Sequence, residues 1–309
     1  MDVCQYGKCF ECGGTNSGSN FCSKCEIDFL RRNFSKWTSG NVNIDSIIQK
    51  TQTTAFVCVD YLEWIPFENF DFVKYHARGA FSVIYSSVWL EGPRHIFDNE
   101  SQDWVRSGPI KCALKRIENS QSICQEYLDN ILKYHECFRN ASAVVDCFGL
   151  TRDPTGCYML VTRFYESGNL HQYLAKTMGC LCWRDVIDML WGIIVSGLEP
   201  IHENELFHGN LHGGNLLVEE HPELINVKLS DIGLYGPADI SELAEILTSW
   251  ITAISDDPDP SPTSEQFDIA EEKRFSDLIN KTFSKPKFHN QAVYFSRLLD
   301  YRSLCKNTQ

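Results

Sequence analysis

At 309 residues and 43% apolar content, the chain is long enough for one two-lobed domain or two ordinary ones. Its 41 acidic against 28 basic residues leave a formal charge of −13, which disfavours nucleic acid and anionic lipid as partners. No apolar run approaches the roughly 20 residues of a membrane span, no basic-then-apolar signal opens at Met-Asp-Val-Cys-Gln-Tyr, and the 14 cysteines lie mostly in apolar segments, so the expectation is a cytosolic or nuclear protein with reduced thiols, not a secreted one.

Residues 1–28 carry Cys9-x2-Cys12, nine residues, then Cys22-x2-Cys25. Each Cys-x2-Cys turn can offer two thiolates to one tetrahedral Zn²⁺, and the Gly/Ser/Asn-rich loop between them lets the turns meet. So short a segment cannot bury a useful core, and the metal would supply most of its folding energy. The bland alternative is a disordered tail with spare thiols; Cys4 sits outside the pattern and could compete as a ligand. Four thiolates leave no open coordination position, so the expected role is structural, in a small zinc-ribbon-like segment. Residues 29–66 read as a helical leader. Phe29–Phe34 is helix-prone, Trp37-Thr-Ser-Gly-Asn41 is a turn, and Asp45 is expected to cap a helix around Ile47 and Ile48.

Phe72–Trp89 alternates around a glycine as a strand–turn–strand. Leu90–Pro109 is polar, contains Gly92-Pro93 and reads as a loop. Lys111-Cys-Ala-Leu-Lys115 reads as a strand, Val144–Leu150 and Cys157–Thr162 as two more, and Glu166-Ser-Gly-Asn-Leu170 as a turn. Val186, Leu190, Ile193, Ile194, Gly197 and Ile201 recur at the spacing of one long buried helix. His202 is expected to be structural.

The run His208-Gly-Asn-Leu-His-Gly-Gly-Asn215, followed sixteen residues later by Asp231-Ile-Gly233, resembles the catalytic loop and metal-binding turn of a protein kinase. The leader narrows the likeness. The paired Cys-x2-Cys turns, Trp37-Thr-Ser-Gly-Asn41, Ile48-Gln-Lys-Thr-Gln52 and Leu62-Glu-Trp-Ile-Pro66 resemble the kinase-like proteins expanded in arbuscular mycorrhizal fungi, which are themselves similar to tyrosine-kinase-like enzymes. The resemblance implies an α+β, two-lobed fold over residues 67–254, with a small lobe at about 67–163 and a shortened large lobe at about 164–254.

The same resemblance assigns roles. Lys115 would meet the α- and β-phosphates of ATP, while Asn215 and Asp231 would hold Mg²⁺. Thr162 would guard the back of the nucleotide pocket, and the backbone of Arg163–Tyr165 would meet adenine. His208 and His212 would brace the loop. Other positions depart from the pattern. The base position is Asn210, whose amide cannot accept a proton near neutral pH as a carboxylate does. The Arg beside it is replaced by Gly209. Of the three glycines that cover the phosphates, the aligned residues are Ala77, Gly79 and Ser82, so one survives. The helix carboxylate that should face Lys115 is Asn130, with Glu126 one turn earlier and Asp129 beside it as substitutes.

Beyond Gly233 the chain runs through Pro237-Ala-Asp239 straight into Asp239–Trp250, which resembles the buried helix that normally follows an activation segment; the segment itself is missing. An acidic, proline-rich linker follows at 255–266, then a tail at 267–309 with one amphipathic helix expected over Phe267–Phe283. Gln291–Leu299 resembles the tail motif of the same fungal proteins. Three readings stay open: a kinase-fold protein without transfer activity that binds ATP and acts through other proteins, such as an active kinase or a scaffold; a working Ser/Thr or Tyr kinase; and a decayed or mis-assembled product, suggested by the abrupt junction at Pro237–Asp239.

Overall fold

The computed structural model describes residues 6–78, 82–101, 103–117, 120–122, 125–177, 181–209, 211–221 and 224–232, together with residues 269, 272, 273 and 276. Helices α1 (Ser23–Asn33) and α2 (Val42–Thr53) lead into strands β1 (Glu63–Trp64), β2 (Phe70–Arg78) and β3 (Ser82–Trp89). A hairpin of β4 (Arg94–Asp98) and β5 (Asp103–Arg106) precedes β6 (Ile110–Ile117), helix α3 (Gln125–Asn140), β7 (Cys147–Arg152) and β8 (Tyr158–Arg163). Helices α4 (Leu170–Lys176), α5 (Trp183–Ile193) and α6 (Glu199–Glu203) follow, then strands β9 (Leu216–His221) and β10 (Leu224–Leu229).

One sheet has the order β1-β7-β8-β6-β3-β2, antiparallel throughout except for the β1–β7 pair. Successive strand residues point to opposite faces, and both faces are covered. Leu114, Met159 and Val161 pack with Phe70 and Trp89 on one side. Leu150, Tyr158 and Leu160 pack on the other with Ile44, Ile47 and Ile48 of α2 and Leu128 and Ile131 of α3. Lys115 lies opposite Leu160 in the ladder, so it shares the face that α2 and α3 cover. The second core joins α5, α6, β9 and β10, with Ile193, Ile201, Val218 and Leu229 buried against Cys137 and Ala141 at the end of α3.

Three expectations need correction or refinement. The segment Leu90–Pro109 is not simply a loop. It contains the β4–β5 hairpin, in which Trp104 meets Phe97 across the strands and finds a further aromatic partner in Phe21, outside the local sequence. The residue that caps α2 is Asn41, whose side chain accepts from the Asn43 N–H at 3.0 Å. Asp45 instead ties down the preceding turn, accepting from the Thr38 hydroxyl and from both the N–H and hydroxyl of Ser39. The long helix is interrupted by a π turn at Ile194–Leu198. Pro200, at the start of α6, has no N–H to return to Ser196, and the Ser196 carbonyl accepts from Ala143 N–H at 3.0 Å instead.

Gly79, Asn210, the Asp239–Trp250 helix and the 255–266 linker lie outside the described residues, as do the side chains of Glu126 and Asn130. In the tail, residues 269, 272, 273 and 276 are described and helical.

Candidate functional site

Strand β6 holds Lys115 between Ile84 of β3 and Leu160 of β8. Its ammonium donates to the carboxylate of Asp231, and both side chains are about three-quarters buried. Asp231 reaches that partner with its backbone in the left-handed region, φ 56°, a conformation that non-glycine residues avoid. Packing of Ile232 against the large-lobe core and the bonds of Ser230 hold the turn there. Ser230 donates from both its N–H, at 2.8 Å, and its hydroxyl, at 2.9 Å, to the backbone carbonyl of Asn215. Asn215 is buried, and its own N–H donates to the His212 carbonyl at 2.8 Å. Three residues read from the sequence as nucleotide-side groups, Lys115, Asn215 and Asp231, are thus linked within one cleft. Ser230 was not singled out by sequence; its position next to Asp231 is the only signal it carries.

The loop leading to Asn215 is described on either side of residue 210. His208 is fully buried, and Gly209 takes φ 65°, which its missing Cβ permits. His212 accepts from the Gly214 N–H through Nδ1 at 3.0 Å. Burial pushes the His212 pKa down, against the opposing pull of Asp231. On the other lobe, β2 and β3 form the expected hairpin, with Ala77 opposite Ile84 and Ser82 opposite Ile117 of β6.

The hinge side chains are not brought to this cleft. Arg163 pairs with Asp146 at 2.5 Å, and Tyr165 is buried. Both line a separate cavity of about 460 Å³ with His95, Ser107, Val218 and Glu219, which none of Lys115, Asn215 and Asp231 enters. What Arg163 and Tyr165 can offer a nucleotide is therefore backbone, and the Tyr165 carbonyl already accepts from Gly168 N–H at 3.2 Å.

At the amino terminus, the sulfurs of Cys9, Cys12, Cys22 and Cys25 all lie within 4.8 Å of one another. The Cys9–Cys25 and Cys12–Cys22 separations are 3.8 and 3.7 Å. A tetrahedron with metal–sulfur bonds of about 2.3 Å has edges of about 3.8 Å, so the cluster has the size a zinc ion requires. The backbone N–H of Gly14 and the neighbouring thiols draw the Cys12 pKa down to about 7, while burial pushes Cys22 and Cys25 up. Every cysteine among the described residues is a free thiol. No helix among them is long and apolar enough to cross a membrane.

Comparison with known proteins agrees with this architecture. The family described as protein tyrosine and serine/threonine kinase matches residues 71–245, more than half of the chain. A mouse interferon-induced, double-stranded RNA-activated protein kinase is 30% identical over 108 residues, 34% of this chain and 20% of that protein. The Arabidopsis thaliana serine/threonine-protein kinase STY17 is 30% identical over 84 residues, 27% of this chain and 14% of that protein. The chain thus spans a fifth or less of the length of these relatives. With the family match covering more than half of its length, the chain belongs to the protein tyrosine and serine/threonine kinase family.

Proposed function

We propose that this protein is a pseudokinase of the tyrosine-kinase-like type, which binds ATP with Mg²⁺ but does not transfer the phosphoryl group, and which acts in signalling by contact with other proteins such as an active kinase or a scaffold. The observation that carries the reading is the Lys115–Asp231 pair, joined through Ser230 to Asn215. An ammonium paired with a carboxylate, with an asparagine tied to the same turn, suits the charges of a magnesium–triphosphate. Lys115 would neutralise phosphate oxygens, and Asn215 and Asp231 would hold the cation that bridges them. The acceptor side is deficient by sequence. Asn210 stands where a carboxylate would take the hydroxyl proton, and no activation segment follows Gly233 to seat a peptide.

The reading includes a structural Zn²⁺ on Cys9, Cys12, Cys22 and Cys25, supported by the sulfur separations. The leader motifs favour placement among the kinase-like proteins of arbuscular mycorrhizal fungi, and the acidic chain favours protein partners in the cytoplasm or nucleus over nucleic acid or membrane.

ATP with Mg²⁺ is expected to raise the melting temperature of the full chain, and Lys115→Ala and Asp231→Ala to remove that shift. Labelled γ-phosphate is expected to reach no protein acceptor, and Asn210→Asp to leave transfer absent because the acceptor seat is the deeper defect. Transfer at an ordinary enzymatic rate, lost on Lys115→Ala, would instead establish an active kinase. The specific feature favouring that second reading is the retained cleft, because phosphoryl transfer depends mostly on positioning and charge.

A further inference from the structure

We propose that the metal held by the four cysteines sets the position of helix α3, through a continuous line of contacts that runs from the knuckle along the leader to the back of the kinase lobe. This rests on the zinc reading above and adds a regulatory role to it.

The line begins at the ligands themselves. Cys25 lies in the first turn of α1, so fixing its sulfur fixes that helix end. Phe21 precedes the ligand Cys22, and its ring is buried not within the knuckle but against Trp104 of β5, at 5.7 Å and edge-to-face. Glu26 follows the ligand Cys25, and its carboxylate accepts from Arg94 of β4; both side chains are 10% exposed. Arg94 also lies over the ring of Phe29, one turn along α1, at 4.1 Å. Arg94 also donates to Asp103 of its own hairpin at 2.8 Å, so the group left as a costly buried ion on separation is Glu26. The residues flanking the metal therefore clamp α1 to the β4–β5 hairpin.

From α1 the contacts continue into the leader. Leu30 shares a cluster with Ala55, Tyr61 and Trp104. Asp60, next to Tyr61, engages α3 directly: its carboxylate accepts from Arg139 at 3.2 Å and its carbonyl from His135 at 3.0 Å. Ile44, Ile47 and Ile48 of α2 cover Leu128 and Ile131 of α3. Leu128, Ile131 and His135 recur at helical spacing, so the leader shares one face of α3 with strands β7 and β8.

The sequence on the cleft side departs from the family pattern. Position 130, which the family uses to tie this helix to the strand lysine, carries an uncharged Asn, and Lys115 is engaged by Asp231. In this family the placement of that helix governs the lysine's environment. Here Lys115 lies on the same sheet face as α3, so whatever moves α3 reaches the nucleotide cleft. The knuckle has no apolar core of its own to keep its turns together without metal. Metal loss frees Phe21 and Glu26, loosens α1, and removes the support that the leader takes from the knuckle, leaving α3 with its packing on the sheet and the large-lobe core.

The test is amide hydrogen exchange on the full chain, zinc-loaded, chelated and reloaded, with metal content measured in each state. Chelation is expected to speed exchange in α3 between residues 128 and 139 on the order of tenfold, with β9 and β10 unchanged and protection restored on reloading. Arg94→Met, which touches neither a ligand nor α3, is expected to keep one zinc per chain while speeding α3 exchange in the same direction. Faster exchange confined to residues 6–33, or an Arg94→Met variant with wild-type α3 protection, overturns the coupling while leaving the zinc site intact. A chain that carries no metal and takes none up on titration overturns both.

Discussion

His135 shows how a single buried side chain sets pH dependence in this molecule. Burial, reinforced by the Arg139 charge, pulls its pKa from 6.5 down to about 4. The folded state therefore holds His135 neutral where the unfolded chain is still protonated. Between about pH 4 and pH 6.5 the unfolded state binds more protons, so this residue makes stability rise with pH, and its contribution is lost on acidification. The upper bound is roughly 3 kcal/mol, from about 1.4 kcal/mol per pK unit. Neighbouring Asp60 works in the opposite sense, because burial raises its pKa more than Phe56 N–H and Arg139 lower it. His135→Gln keeps a donor for the Asp60 carbonyl and removes the titration. Unfolding free energies measured from pH 4 to 7.5 are expected to show a shallower acid slope in that variant. Neither the burial nor the charge beside it could be read from a lone histidine in Lys133-Tyr-His-Glu136. Lys115, Asn215 and Asp231 were legible because their spacing is fixed by the strand and loop that carry them. The direct Lys115–Asp231 contact was not, since 116 residues separate the partners.

At the scale of the elements, the short strand β1 depends on one glycine. Gly149 of β7 lies where an added Cβ would come within 1.9 Å of the Glu63 carbonyl. No rotamer relieves a clash with backbone, so Gly149→Ala must push β1 off the sheet. The expected cost is about 2–3 kcal/mol in chemical denaturation, with the leader's protection from proteolysis reduced. The strands β2, β3, β6, β7 and β8 were evident from alternation and β-branching, because most of their burial is decided by local pattern. The β4–β5 hairpin was hidden, since a polar segment with Gly92-Pro93 reads as loop until Phe21 arrives to cover Trp104. The π turn was hidden as well. It follows from where Pro200 leaves the Ser196 carbonyl and from Ala143, far away in sequence, being there to use it.

Across the whole molecule, the leader and the kinase lobe share one core. Ile44, Ile48 and Leu62 have no exposed surface, and they are buried against α3, β7 and β8, although they lie before the family-matched residues 71–245. Ile48→Ala is therefore expected to destabilise the kinase lobe itself, by about 2–5 kcal/mol, and to shift a single cooperative transition. Two separated melting steps, with the later one unmoved by the substitution, would show that the leader folds apart from the lobe. The same shared burial explains why residues 29–66 looked uninformative alone: their apolar positions are spaced as helices, but what they cover is supplied later in the chain.

The sequence by itself carried the family, the residues Lys115, Asn215 and Asp231 that the fold links, and the four-cysteine set. These are matters of residue type at fixed local spacing, which a chain carries whatever its surroundings. Tertiary structure alone decided that Lys115 pairs with Asp231, that Arg163 and Tyr165 turn their side chains away from the cleft, and that the knuckle is clamped to the kinase lobe through Arg94 and Glu26. Those outcomes depend on which surfaces meet after collapse, and burial energies between distant segments leave no periodic trace in either segment.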